Sequence, residues 1–252
     1  MTRAILYVGH GTRSKKGAEE AKEFLGRVIA RVDAPIQEIS FLELTEPYIP
    51  EGFGRCVAKG ATEITVVPIF LLTAGHIKED IPEALETLRV KYPDVSVEVA
   101  PAFGVQERIV DAISELVKTS IGKVDPVDSV LVVGRGSSDP AIHGAFAEIK
   151  AGLEERLGVS RVSVCYLAAT TPLFAEGIES ISFEADGRVL VVPYLLFAGL
   201  LLSEVEREVR KRNRAGQDIV LIEPLSRHGA IQDIVVERAS GKEDVRVATV
   251  DH

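Results

Sequence analysis

The sequence predicts an α/β protein of two similar lobes, each a mainly parallel sheet with helices on both faces, related by internal duplication. Three observations predict it. Stretches 125 residues apart match: ILYVGHGTR with VLVVGRGSS, ISFLELTEP with VCYLAATTP, and ITVVPIFLLTAG with VLVVPYLLFAGL. Within each half, short apolar runs alternate with segments of helical spacing, the pattern of a parallel sheet with crossover helices. The runs are apolar throughout rather than at every second position, as strands covered on both faces require.

Strands are expected near 4–8, 36–42, 63–72 and 95–100, and again near 129–133, 162–167, 188–197 and 218–222. Between them Ala21, Leu25, Val28 and Val32 form one helical stripe, and Ile109, Ala112, Ile113, Leu116 and Val117 a second. Phe146, Ile149, Leu153 and Leu157 repeat the stripe in the second half. Gly, Pro and Asp cluster in SIGKVDPVDS, residues 120–129, and mark the break. The expected lobes are 1–122 and 123–252, facing each other across a cleft.

Composition narrows the function. The 252 residues carry a net charge of -9 and show no basic stripe with interleaved aromatics, which argues against a nucleic-acid partner. The longest apolar run, VLVVPYLLFAGLLL, is broken by Pro and Gly and is too short to span a bilayer. A strand is reached within four residues of the start, with no basic region or apolar signal core, so a cytoplasmic protein is expected. The two cysteines, Cys56 and Cys165, read as small buried hydrophobes rather than a disulfide framework. GHGTRS and GRGSSD begin G-x-G, but neither has a third glycine or a G-K-[ST] ending, which discounts NAD and ATP.

Two of the five histidines sit in one setting: His10 follows the first strand between two glycines, and His76 follows the third strand after Gly75. Glu43 ends the second strand. Open parallel sheets bind ligands beyond the carboxyl ends of their strands, so all three belong to one rim. Two imidazoles and a carboxylate form a ligand set for a divalent transition metal. A single strand-end histidine is more often a hydrogen-bonded turn residue; two at matched positions carry the argument. The repeat is an internal control. His10 becomes Arg135, Glu43 becomes Ala168 and His76 becomes Leu201, so all three candidate ligands vanish together. Arginine keeps its proton and cannot ligate a metal. One metal site, in the first half, follows, with Arg135 suited to gripping carboxylates or phosphates. His143 is expected in the first turn of a helix, structural or exposed. His228 shows no partner in the sequence, and His252 is the last residue.

YVGHGTRSKK, EISFLELTEPYI and VVPIFLLTAGHIKEDIP resemble the CbiX/SirB family of class II tetrapyrrole chelatases, as do GRGSSDP and VVPYLLFAGLLLSEVEREV in the second half. The resemblance covers roughly residues 3 to 235 and runs nearest to the family's Bacillus-type sirohydrochlorin ferrochelatases. Thr12 stands where the family usually has Ser, which keeps the hydroxyl. The tail ERASGKEDVRVATVDH is polar and adds no motif to the resemblance.

The resemblance implies insertion of Fe(II) into sirohydrochlorin without ATP, to give sirohaem. The family's two active-site histidines fall on His10 and His76, and its metal-binding acid on Glu43. It implies no cofactor beyond the substrate metal, Fe(II) or Co(II). Metallation removes two pyrrole N–H protons, and a neutral imidazole can hold the metal and accept a proton. The macrocycle's eight carboxylates call for local cations on this acidic chain. Arg13 and Arg135 are the best placed, ahead of Lys15, Lys16 and Lys78, for which a solvated loop face is the plainer reading. Thr12, Ser137 and Ser138 could donate hydrogen bonds to substrate, or simply cap turns. The expected partners are sirohydrochlorin and a divalent metal, with no nucleic acid and no membrane, and two lobes in one chain make a monomer sufficient. A cobaltochelatase of cobalamin synthesis is an alternative, because histidine and carboxylate accept both metals. A non-catalytic protein that binds a metal or an anionic ligand is another.

Overall fold

A computed structural model describes residues 1–73 and 75–241, apart from the His76 side chain. His252 and the tail from residue 242 lie outside the described residues. The first repeat runs β1 (Arg3–Gly9), α1 (Lys15–Ile29), β2 (Ile36–Phe41), α2 (Ile49–Ala58), β3 (Glu63–Pro68), a π-helical turn at His76–Asp80, α3 (Ile81–Lys91), β4 (Ser96–Val99) and α4 (Glu107–Ile121). The second runs β5 (Ser129–Gly134), α5 (Ala141–Leu157), β6 (Arg161–Tyr166), α6 (Phe174–Glu184), β7 (Val189–Tyr194), α7 (Leu200–Arg214), β8 (Ile219–Leu221), a 3-10 turn at Leu225–Arg227 and α8 (Gly229–Ser240). No helix among the described residues is long and apolar enough to cross a membrane.

The strands form two four-stranded sheets, ordered β2-β1-β3-β4 and β6-β5-β7-β8, with every pairing parallel. This is the duplicated α/β architecture that the alternating pattern predicts. The central strands are the most apolar: Ala4 through Val8 and Val130 through Val133 are all fully buried. Every predicted strand is present. The apolar runs at 63–72 and 188–197 outlast their ladders, which end at Pro68 and Tyr194. Beyond them the chain bonds the loops that follow β4 and β8: Phe103 and Gly104 N–H donate to the Phe70 and Leu71 carbonyls, and Leu225 and Ser226 N–H to those of Leu195 and Leu196.

The stripes of α1, α4 and α5 are buried as the spacing predicts, through Leu25, Ile113 and Leu153 among others. Matching devices start α2 and α6. Glu51 accepts the Tyr48 N–H at 2.9 Å, and Glu176 accepts the Leu173 N–H at 2.8 Å, each closing the first turn.

The compact units differ from the repeat halves 1–122 and 123–252. Among the described residues, one unit holds 1–106 together with 232–241; the other holds 107–231. Thus α4 belongs with the second sheet, where Arg156 of α5 bonds Asp111 at 2.5 Å and also Glu107. The end of α8 belongs with the first, where Asp233 takes Arg31 at 2.6 Å. An apolar stripe specifies that a helix face is buried, not which of two similar sheets buries it.

Candidate functional site

His10 leaves β1 directly and Glu43 stands two residues beyond β2, both at the carboxyl end of the first sheet. The two loops stay zipped past the ends of the strands. Leu42 N–H donates to the Gly9 carbonyl at 2.8 Å, and Glu43 N–H to the His10 carbonyl at 3.0 Å. Gly11 makes that approach possible. Its φ is +93°, and a Cβ there would overlap the Glu43 carbonyl oxygen. Thr45 adds a clasp: its Oγ1 accepts the Thr12 N–H and donates to the Thr12 carbonyl, both at 2.9 Å. Leu44 holds φ 62°, and the Glu46–Pro47 bond is cis.

This framework sets His10 Nε2 3.4 Å from Glu43 Oε1, with the side chains 22% and 50% exposed. The other ring nitrogen, Nδ1, lies 3.2 Å from the Gly11 carbonyl. A carbonyl only accepts, so the tautomer with its proton on Nδ1 satisfies this contact and leaves Nε2 a lone pair. Nε2 and the carboxylate then face each other as two acceptors, an arrangement that a cation between them stabilises. Metal–nitrogen and metal–oxygen bonds near 2.0–2.2 Å at a tetrahedral angle separate the two ligand atoms by about 3.4 Å. Phe70 packs beside the imidazole with centroids 6.3 Å apart.

The sequence placed His10, Glu43 and His76 on one rim. The structure brings the first two together. It places the backbone of His76 at the start of the π-helical turn that precedes α3, a kind of turn often found at functional sites. Among the described residues, no group of three His, Cys, Asp or Glu side chains could hold a metal.

The second sheet repeats the scaffold without the ligands. Gly136 has φ +91° and packs against the Ala168 carbonyl, Ala169 holds φ 63°, and Thr171–Pro172 is cis. The backbone zipper recurs, from Leu167 N–H to the Gly134 carbonyl and from Ala168 N–H to the Arg135 carbonyl, both at 2.9 Å. Arg135 is exposed at the position of His10. Arg13 is exposed beside the first site, and Ser138 is exposed near Arg135. Thr12 Oγ1 accepts the Ser14 N–H, and Ser137 Oγ accepts the Asp139 N–H, each at 3.1 Å. Both hydroxyls therefore serve local turns, and each keeps its own proton to donate.

His143 lies in the first turn of α5, exposed, with its ring nitrogens 3.3 Å from Tyr166 Oη and 3.1 Å from Thr170 Oγ1. His228 has a partner that the sequence did not reveal, Glu115, at 2.9 Å. The Thr45 clasp was also missed; its only sequence signal is Thr170 at the same place in the second repeat. Cys56 and Cys165 are buried and unbridged, and burial pushes both thiols up to about 12, which makes them inert.

The CbiX family model matches residues 4–120 and again 129–242. A sirohydrochlorin ferrochelatase of Priestia megaterium is 42% identical over 233 residues, spanning 92% of this chain and 87% of its own. A sirohydrochlorin cobaltochelatase of the same organism is 33% identical over 243 residues, spanning 94% and 79%. The solved structure of SirB from Bacillus subtilis with Fe3+ superposes with a TM-score of 0.85 at 39% identity, covering 96% of each chain.

Proposed function

Because the chain belongs to the CbiX family, we propose that it is a sirohydrochlorin ferrochelatase: it inserts Fe(II) into sirohydrochlorin, without ATP, and releases the two pyrrole protons. The observation that carries this reading is the His10 Nε2–Glu43 Oε1 pair at 3.4 Å. It offers one neutral nitrogen and one anionic oxygen to a divalent ion, at the separation that two ligands of one metal adopt. A site open on the remaining sides can give the metal up to the four ring nitrogens. The imidazole and the carboxylate can then take the two displaced protons. His76 is the third member of this set in our reading, as ligand or proton acceptor. Arg135 and Arg13 hold the peripheral carboxylates, with Thr12, Ser137 and Ser138 as hydrogen-bond donors. No cofactor beyond the substrate metal is required.

Cobalt is the second reading, because the 33%-identical relative is named a cobaltochelatase. Imidazole and carboxylate accept either ion, so metal supply weighs as much as the ligands. The test is an anaerobic absorbance assay with sirohydrochlorin and either Fe(II) or Co(II), run on the wild type, His10→Ala and His76→Ala. Insertion above the uncatalysed rate, lost in both variants, supports the chelatase and its site. Full activity in His10→Ala would sink the site. No acceleration with either metal would turn attention to a protein that binds metal without turnover.

A further inference from the structure

Both repeats make the same turn after their second strand, and only one of them locks it. In the first, Glu43 N–H donates to the His10 carbonyl at 3.0 Å, and the Glu43 carbonyl accepts the Thr45 N–H at 2.7 Å, with Leu44 at φ 62° between them. In the second, Ala168 N–H donates to the Arg135 carbonyl at 2.9 Å, and the Ala168 carbonyl accepts the Thr170 N–H at 2.8 Å, with Ala169 at φ 63°. Each turn also closes behind in the same way. Phe41 N–H reaches the Pro47 carbonyl at 2.8 Å, and Tyr166 N–H that of Pro172 at 2.9 Å.

The threonine that ends the turn behaves differently in the two copies. Thr45 Oγ1 accepts the Thr12 N–H and donates to the Thr12 carbonyl, both at 2.9 Å. Thr170 Oγ1 instead lies 3.1 Å from His143 Nε2 on α5, and among the described residues it does not bond Ser137, the counterpart of Thr12. The counterpart of His143 is Ala18, which offers Thr45 no such alternative. The second copy therefore holds the same turn, at the same positive φ, with no clasp. The clasp is not what folds the turn. It is made in the copy that carries His10 and Glu43.

What it fixes is the spacing of two loops. His10 and Thr12 lie on one, Glu43 and Thr45 on the other. Backbone bonds join the loops as far as Glu43, and a hydroxyl that grips both polar backbone groups of Thr12 joins them again two residues on. Two fixed points prevent the Glu43 loop from pivoting about the first. That pivot would open the 3.4 Å gap between Glu43 Oε1 and His10 Nε2. Thr45 donates its one hydroxyl proton to the Thr12 carbonyl, so it acts through the loops rather than on a substrate.

We propose that Thr45 is a positioning residue of the His10–Glu43 pair: its hydroxyl holds the separation at which two ligands of one divalent metal stand. The proposal rests on the metal reading of that pair and not on sirohydrochlorin as the acceptor.

Co(II) titration of the full chain, followed by the visible absorption of the bound ion, tests it without sirohydrochlorin. Thr45→Val keeps nearly the same shape and removes the hydroxyl, Thr45→Ser restores the hydroxyl, and Thr170→Val makes the same change in the copy without ligands. Thr45→Val should raise Kd for Co(II) by about 10-fold or more, while Thr45→Ser stays within about 3-fold of the wild type and Thr170→Val matches it. The melting temperatures of all three should stay close to that of the wild type. In the insertion assay the Thr45→Val loss should fall on kcat, with KM for sirohydrochlorin unchanged. Unchanged Co(II) affinity in Thr45→Val, an equal loss in Thr170→Val, or no rescue by serine would overturn the proposal. A steep fall in melting temperature confined to Thr45→Val would overturn it too, by making the clasp a folding element. A wild type that binds no Co(II) would overturn the metal pair and the clasp together. A wild type that binds Co(II) but metallates no sirohydrochlorin would overturn the chelatase alone, and the titration would still decide the clasp.

Discussion

The α-carbon of Gly11 rests against the backbone carbonyl of Glu43, so closely that a methyl group could not be added without displacing it. The same contact joins Gly136 to Ala168 in the second repeat. In the first repeat it sets the distance between His10 and Glu43; in the second it sets only backbone. Gly11→Ala and Gly136→Ala should each cost about 1–3 kcal/mol of stability in urea unfolding, from positive φ and overlap. Gly11→Ala should also slow metal insertion, by about 100-fold for a displacement near 1 Å, and Gly136→Ala should slow it far less. Equal losses of activity would mean that the contact does not position the site.

Glu43→Gln keeps the shape of the side chain and removes its charge. If the pair with His10 holds the metal between two acceptors, the variant should bind Fe(II) more weakly and insert it about 10- to 100-fold more slowly, with an unchanged melting temperature. Metal titration and the anaerobic absorbance assay check both. The wild-type rate in this variant would remove Glu43 from the chemistry and leave the imidazoles to do the work.

Arg135 stands where His10 stands, on a rim without metal ligands. Its role in our reading is to grip a peripheral carboxylate, an interaction present before and during metal insertion. Arg135→Ala should therefore raise KM for sirohydrochlorin by about 10-fold or more and leave kcat nearly unchanged. A fall in kcat at constant KM would place the guanidinium in the reaction itself.

The repeat made much of this legible. Identical glycines and prolines at a 125-residue offset announced two equivalent sheets, and the histidines absent from the second copy are what point our reading of the site to the first. Strand ends were less legible, because Ile69 through Leu72 are as apolar as the strand they follow. The ladder with β1 stops at Pro68, and Phe70 and Leu71 bond the loop after β4 instead. The grouping of α4 with the second sheet left no signal, since the face of Ile109 and Ile113 would suit either sheet. The clasp from Thr45 to Thr12 was invisible because a threonine in a loop looks the same with or without a partner.

Asp128 and Arg188 clamp the starts of β5 and β7. Asp128 is 2% exposed; its Oδ2 takes Arg188 Nη2 at 2.7 Å and its Oδ1 takes Arg188 Nε at 3.1 Å. The Asp125 N–H adds a bond at 2.8 Å, and Arg188 reaches on to the Lys123 carbonyl at 2.9 Å, which ties down the segment between the repeats. Burial alone would raise the Asp128 carboxyl, but the hydrogen bonds from Arg188 and two backbone N–H groups hold it below its ordinary value. A group lowered in the folded state contributes stability that is fully present above its unfolded value, near 3.9, and lost as pH falls through the lowered one. Asp128→Asn strands a guanidinium and should cost about 3 kcal/mol at pH 7. As the pH falls through that lowered value the wild type loses the same charge, so the gap between the two proteins in urea unfolding should narrow. A gap that stays constant down to that pH would show that Asp128 stabilises the fold by shape and neutral hydrogen bonding rather than by its charge.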